Sequence, residues 1–342
     1  MTYILGISAF YHDSGAALIK DGNILSAIQE ERMTRVKHDE SFPINAIKEI
    51  LRYENISLSD IDYICYYEKP FLKFERILET YLAYAPYSFK MFRKSMPVWL
   101  KEKLFQKNFI SNQLKKIDNT FDKNIHFSEH HLSHAASAFF PSPYEKSIIL
   151  TIDGVGEWAT TTISVGNKNQ IKTVEEIHYP HSIGLLYSAF TFYLGFKVNS
   201  GEYKVMGLAP YGKPIYEKII LEELIDLKND GSFRLNQKFF DYSLGDKMIG
   251  ANFEKLFGRS SRKPEIENIN QFHMDVAASI QVVIEKIILR ITDYIYENYE
   301  YDNLCLAGGV ALNCVANSKI LLQGKFKNIW IQPASGDAGG AV

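Results

Sequence analysis

A strand pattern that occurs twice does most to limit what this chain can fold into. Residues 4–30 read as an apolar strand, a polar loop, a second strand, a tight Asp21-Gly22 turn and a third strand with an acidic end. Residues 149–176 repeat the order, with a glycine loop at Gly154-Val155-Gly156 and a Gly166-Asn167-Lys168-Asn169 turn. Short apolar runs bounded by Gly, Asn and Asp are strand signals, and a two-residue Asp-Gly link joins antiparallel neighbours. A supersecondary unit that recurs this way predicts a duplicated, two-lobed α/β architecture. Each sheet should open as an antiparallel meander and continue through helix–strand units.

The rest of the chain supplies those units. Residues 44–53 are amphipathic, and 61–67 follow as a strand. The Lys-rich, aromatic stretch 71–118 reads as an inserted helical subdomain of a first lobe spanning 1–145. The second lobe, 146–342, contains an apolar helix over 185–196 and a loosely patterned insertion at 199–272 with a helix over 216–227. A long helix over 273–299 comes next, with apolar residues at spacings of three and four. A strand at 303–307, a helix at 311–322 and a strand at 328–332 complete it. The chain stops at Val342, where a further helix should open, so the sequence reads as truncated.

Composition narrows the function classes. A formal net charge of −2 gives no basic field for nucleic acid. No window is apolar enough to span a bilayer, and the N-terminus has neither a basic region nor a cleavage site. Three cysteines, Cys65, Cys305 and Cys314, form no CxxC pair, which fits a reducing cytoplasm. The many aromatics, 21 Tyr and 22 Phe, weakly favour a partner-facing surface and a homodimer.

Chemistry concentrates in three places. Glu129-His130-His131-Leu132-Ser133-His134 opens a small-residue helix, and His130 and His134 lie one turn apart on one face. Alone, such a pair is more often a surface or capping feature than a ligand pair, and the aspartate loops bring the metal reading level with it. Asp153 ends a strand and Asp337 sits in the loop Ser335-Gly336-Asp337-Ala338-Gly339-Gly340. Two imidazoles and two loop carboxylates make an N2O2 set for a divalent first-row cation. His131 falls off that face and reads as a residue that either supports the ligands from behind or packs. The glycine loops Gly154-Val155-Gly156, Gly308-Gly309 and Gly336 bring backbone N–H groups toward an anion, and together they favour a nucleotide cleft.

Taken together, Tyr11-His12-Asp13-Ser14-Gly15, Glu30-Glu31-Arg32, His130-His131-Leu132-Ser133-His134, Gly201-Glu202-Tyr203-Lys204-Val205-Met206-Gly207, Ala307-Gly308-Gly309-Val310-Ala311-Leu312-Asn313 and Gly336-Asp337-Ala338-Gly339 resemble the O-carbamoyltransferases of antibiotic, nodulation-factor and polysaccharide pathways. The resemblance runs the length of the chain. It implies a duplicated actin-like ATPase (ribonuclease-H-like) fold with two lobes and helical insertions. It also implies a two-step reaction. Carbamoyl phosphate and ATP give carbamoyl adenylate, and the carbamoyl group then passes to a hydroxyl of a small-molecule or sugar acceptor. In that family a C-terminal domain makes the adenylate, so this chain is expected to carry the transfer step.

The family's metal, Fe(II) with Mn or Zn as alternatives, would fall on His130, His134, Asp153 and Asp337. Transfer to a hydroxyl needs a proton acceptor and oxyanion stabilisation. His12, in the loop after the first strand, is the acid/base candidate, although His12 and Asp13 also fit a role in fixing the turn. Lys204 fits phosphate or carbamoyl neutralisation, or a salt bridge with Glu202, itself a nucleotide-side candidate. Lys37 lies in the basic run 32–38, which is either solvated or phosphate-facing. Gly308, Gly309 and Asn313 are adenosine-side candidates, and Asn313 equally suits a helix first turn. Ser8 stands where kinases of this fold carry an aspartate, and Asp153 restores it in the repeat. That disfavours a kinase, and the near-neutral charge disfavours a threonylcarbamoyl transferase acting on tRNA. A non-catalytic nucleotide-binding fragment is the remaining alternative.

Overall fold

A computed structural model describes residues 1–99, 105–244 and 247–342. The first sheet opens with β1 (Tyr3–Ser8), β2 (Gly15–Lys20) and β3 (Asn23–Gln29), each antiparallel to the next. Asp21 and Gly22 both have positive φ (48° and 83°), the type I′ geometry that matches strand twist. The chain then forms α1 (Glu30–Thr34) and α2 (Ile44–Tyr53) before β4 (Tyr63–Tyr66), which runs parallel to β1. Helices α3 (Pro70–Ala83), α4 (Phe89–Val98) and α5 (Gln106–Leu114) occupy the stretch read as an insertion, whose residues 100–104 lie outside the described set. Strand β5 (Ile125–Phe127) closes the sheet in the order β3-β2-β1-β4-β5.

After α6 (His130–Phe139), the order repeats. Strands β6 (Lys146–Ile152), β7 (Ala159–Asn167) and β8 (Gln170–His178) form the second meander. Helices α7 (Ile183–Tyr193), α8 (Glu202–Leu208) and α9 (Glu217–Ile219) precede the small hairpin β9 (Ile225–Leu227) and β10 (Phe233–Leu235). Then come α10 (Ala251–Phe257), α11 (Gln271–Asn298), β11 (Asn303–Ala307), α12 (Cys314–Gln323) and β12 (Asn328–Ile331). The second sheet reads β12-β11-β6-β7-β8, with β11 parallel to both β6 and β12. Numbered within each half, both sheets have the strand order 3-2-1-4-5.

Each sheet has its own apolar core. Leu5, Ile7 and Leu18 pack on Ile47 and Ile50 of α2 in the first. Ile148, Leu150 and Leu306 pack on α7 and on Ile280, Ile284 and Ile287 of α11 in the second. Full burial of each such side chain stabilises by about 1.5–3 kcal/mol. Helix α6 lies between the two sheets in sequence but packs on the second, through Ala135, Ala138 and Phe139 against Ile149 and Cys305.

Several boundaries differ from the sequence reading. The helix expected over 216–227 is one turn of α9, a wide turn over 220–224 and then β9. Ile225-Asp226-Leu227 alternates buried and exposed, and Gly231 (φ 80°) turns the chain so that Phe233 and Leu235 pair back on it. Pairing overrides the helical spacing there. The helix expected over 311–322 begins at Cys314, because the Asn313 side chain accepts the Ala316 N–H and caps it there. The loop 337–341 is a 3-10 turn, and although it follows β12 of the second sheet it lies against β1 of the first. Gly6 makes that approach possible. A Cβ on it would stand 1.9 Å from the Ala341 carbonyl oxygen.

Candidate functional site

Helix α6 begins at the crevice between the sheets. Its first backbone N–H, from His130, points at the Glu157 carboxylate (3.0 and 3.1 Å), which also accepts the Lys69 N–H. A carboxylate at a helix N-terminus satisfies open donors and complements the helix dipole. The helix is thereby fixed with His130 and His134 inward, 3 % and 1 % exposed. Their Nε2 atoms face each other at 3.1 Å.

Two carboxylates close the centre. Asp153, just past β6, sets Oδ2 2.9 Å from His130 Nε2 and 3.7 Å from His134 Nε2. Its Oδ1 accepts the Gly309 N–H at 3.0 Å, which holds the carboxylate in one orientation. Asp337, at the start of the terminal 3-10 turn, sets Oδ1 3.7 Å from both imidazoles. The four donor atoms lie within 4.8 Å of one another. First-row metal–ligand bonds of about 2.0–2.2 Å put neighbouring donors about 3 Å apart and opposite ones about 4 Å apart, so the set has the dimensions of a cation shell. Asp337 Oδ2 is buried with no hydrogen-bond partner among the described residues, which also fits a site that takes up positive charge.

The electrostatics agree. Burial pulls the His134 imidazole down, but Asp153 and Asp337 outweigh it and raise its pKa to about 9. Burial pushes both acids up, yet the two imidazoles hold Asp153 well below the usual carboxylate range and Asp337 below it. His131 behaves differently. Burial and its histidine neighbours push it down to about 3, and its Nδ1 meets Thr151 Oγ1 at 2.6 Å. It is a neutral packing residue outside the centre.

Beside the centre opens a cavity of about 210 Å³, bordered by His12, Gly154, Glu202, Gly309, Asn313 and Gly336. Not every expected residue faces it. Gly156 packs beneath, with its Cα against the rings of His130 and His131, and its N–H bonds the Ala159 carbonyl. Gly308 is a turn residue at φ 91° pressed on the Ile152 carbonyl, and its N–H goes to Ser335. Neither borders the cavity, since the tight approach that demands glycine at each is made to protein. Lys37 and Lys204 are exposed at the rim, where Lys37 Nζ lies 4.9 Å and Lys204 Nζ 6.0 Å from the Tyr203 ring. Glu202 forms no salt bridge with Lys204. Its carboxylate accepts from Ser188 Oγ and from the Asn199 and Gly201 N–H groups, holding the loop before α8. Asn313 exchanges two hydrogen bonds with Gln281 while capping α12.

His12 sits between two acids. Its Nδ1 meets Asp13 Oδ2 at 2.9 Å, and its Nε2 is 3.9 Å from Asp337 Oδ2. Burial lowers its pKa, but the Asp13 bond and the Asp337 charge prevail and raise it to about 9. A cation held by Asp337 would oppose that rise, so the ring is placed to exchange a proton rather than committed to one form. The sequence reading gave Asp13, which binds both His12 and His38, only a part in fixing a turn, and it passed over Glu157, which seats α6. Asp13 was visible only as the neighbour of a histidine, and Glu157 only as a polar residue after a glycine loop.

The two matched sheets and the crevice between them define an actin-like ATPase fold. A solved HypF structure from T. kodakarensis shares that fold, with a TM-score of 0.50 at 12% identity over 99% of this chain and 46% of that one. Residues 3–342 match the family described as Carbamoyltransferase N-terminus, and the chain belongs to that family. It is 58% identical to an uncharacterised protein of Synechocystis sp., across all of this chain and 56% of that protein. It is 35% identical to the nodulation protein NolNO of Sinorhizobium fredii, across 98% of this chain and 46% of that protein. The chain thus spans about half the length of the curated relatives it matches.

Proposed function

We propose that this chain performs the transfer step of an O-carbamoyltransferase. It moves a carbamoyl group from carbamoyl adenylate to a hydroxyl of a small-molecule or sugar acceptor. The observation that carries the reading is the convergence of His130, His134, Asp153 and Asp337 beside a cavity bordered by three glycine loops. Those four residues would hold the cation, and iron, manganese and zinc all suit imidazole with carboxylate. When bound, a divalent cation would supply Lewis-acid polarisation and charge neutralisation beside a nucleotide phosphate.

The chain's own groups do the rest. Gly154, Gly309 and Gly336 let the backbone approach the nucleotide without side-chain obstruction. His12, oriented by its bond to Asp13 at the wall of the cavity, serves as the acid/base for the acceptor hydroxyl. Lys37 and Lys204, both close to the Tyr203 ring that borders the cavity, add positive charge where an anionic substrate would enter. On this reading, making the adenylate from carbamoyl phosphate and ATP belongs to the part of the relatives that this chain does not span.

The test supplies fresh carbamoyl adenylate to the metal-loaded chain with a panel of hydroxylated sugars and polyols. AMP release and carbamate esters are followed by mass spectrometry. AMP release that depends on an acceptor, with a matching ester, is the expected result. Release at the uncatalysed rate with every acceptor would overturn the reading.

A further inference from the structure

Helices α3 and α4 pack as a hairpin that ends in an open tip. One side of α4 faces α3. The Phe92 ring lies 5.8 Å from that of Tyr81, the Tyr81 hydroxyl donates to Ser95 Oγ at 2.7 Å, and the Trp99 ring lies 5.9 Å from that of Phe74. The opposite arc of α4 is therefore turned outward, and Phe89, Lys90, Arg93 and Lys94 on it are all exposed. At the tip, Leu82, Tyr87 and Phe89 are 68%, 83% and 63% exposed. A chain with 40 Asp and Glu has none from Thr80 to Trp99, the stretch that holds these three cations. Lys90 and Arg93 meet no carboxylate among the described residues. The other end of the hairpin is anchored near the centre: Arg76 Nη1 donates to the Gly156 carbonyl at 2.8 Å, and the Lys69 N–H to Glu157. The tip is thus carried on a fixed arm.

We infer that the α3–α4 tip docks on the surface of an anionic phospholipid bilayer. This does not depend on the carbamoyl-transfer reading. Each part of the tip has a counterpart in such a surface. Leu82 and Phe89 enter the boundary between headgroups and acyl chains, and the Tyr87 ring, apolar with a polar end, sits at headgroup level. Lys90, Arg93 and Lys94 lie beside them and face lipid phosphate, their aliphatic stems along the apolar edge. The contact stays at the surface, since no helix of the described residues is long and apolar enough to cross. A second copy of this chain fits less well, because a two-fold pairing of tips would set the same cations against each other. Duplex nucleic acid would engage the cations but leave Leu82 and Phe89 in water.

The test floats the whole chain with vesicles of phosphatidylcholine, alone or mixed with phosphatidylglycerol, and reads the bound fraction against lipid concentration. Wild type should bind the mixed vesicles and bind neutral ones far more weakly. Lys90→Gln, Arg93→Gln and Lys94→Gln together should weaken binding by about 100-fold, at about fivefold for each charge. Leu82→Ser, Tyr87→Ser and Phe89→Ser together should weaken it by at least about 10-fold. All six positions are exposed, so both variants should keep the wild-type circular dichroism. Lys48→Gln, Lys115→Gln and Lys116→Gln remove the same charge from a groove that no residue of α3 or α4 borders, and should leave binding within about twofold. Wild type that does not bind the mixed vesicles overturns the inference. Equal weakening by the control triple overturns it as well, as does binding that survives loss of the three apolar side chains, since either marks a general attraction of charge. Self-association that the tip variants abolish, without vesicle binding, also overturns it and gives the tip to a second copy.

Discussion

Among single side chains, the three histidines of α6 divide sharply although they share one helix and are all buried. His130 and His134 meet acids through Nε2, whereas His131 meets a threonine hydroxyl. Their removal should therefore divide in the same way. His130→Ala or His134→Ala should weaken binding of a divalent metal by at least about 10-fold, measured by elemental analysis after dialysis against limiting metal. His131→Ala should keep most of the metal but lose about 1–3 kcal/mol of stability, since Thr151 loses a buried partner. Equal metal loss in all three would contradict the division. The helical spacing of four residues was enough to separate His131 from the pair in the sequence. Spacing did not reveal that Gly308 and Gly156 pack on protein rather than facing the cavity. A glycine needed for close approach leaves the same mark in a sequence whichever partner approaches it.

At the scale of elements, helix starts decide more than helix propensity. Helix α11 begins at Gln271, earlier than its apolar repeat, because Asn270 and His273 cap it reciprocally. The Asn270 side chain accepts the Phe272 N–H, and His273 Nδ1 accepts the Asn270 N–H. An accepting Nδ1 must carry no proton. Burial lowers the His273 pKa, Glu267 opposes that, and Arg262 and Arg259 reinforce it. The sign follows: the folded value lies below the unfolded one of about 6.5. The cap's stability is fully present above that pH and is lost as pH falls toward the folded value, because the unfolded chain binds the proton first. His273→Gln keeps an acceptor at the third helical position but does not titrate. Its unfolding free energy should fall less steeply than wild type's between pH 7 and 5, by up to about 1.4 kcal/mol per pH unit, measured by urea titration at each pH. His181, lowered by burial and Arg234, contributes to the slope in both proteins and cancels in the comparison. Identical slopes would show that the cap tolerates the proton. The hairpin β9–β10 shows the opposite limit of the sequence reading. Residues 216–227 carry helical spacing, but the partner that converts their end to a strand lies beyond a glycine turn, and local periodicity contains no record of it.

For the whole molecule, the centre is assembled by contacts between halves. The duplicated meanders were legible because each is local, built from adjacent strands with alternating burial and turn residues between them. That Asp337 would reach His130 was not legible from spacing, since it requires the 337–341 turn of the second half to lie on β1 of the first. Gly6 is where that contact is tightest: an added Cβ would meet the Ala341 carbonyl at 1.9 Å. Backbone cannot be pushed aside as a flexible side chain can, so Gly6→Ala must move the turn and Asp337 with it. Gly6 has ordinary strand geometry, so the change adds no dihedral strain and leaves the pairing of β1 intact. The expected outcome is a metal affinity lowered at least about 10-fold, as for loss of a ligand's support, in a protein whose circular dichroism keeps its strand and helix content. Gly207→Ala is the matched control. It lies inside α8 with nothing within 4 Å of a new Cβ, so it should gain about 0.5–1 kcal/mol and leave metal binding unchanged. If Gly6→Ala binds metal as wild type does, then β1 does not position Asp337, and the second half holds its aspartate without help from the first.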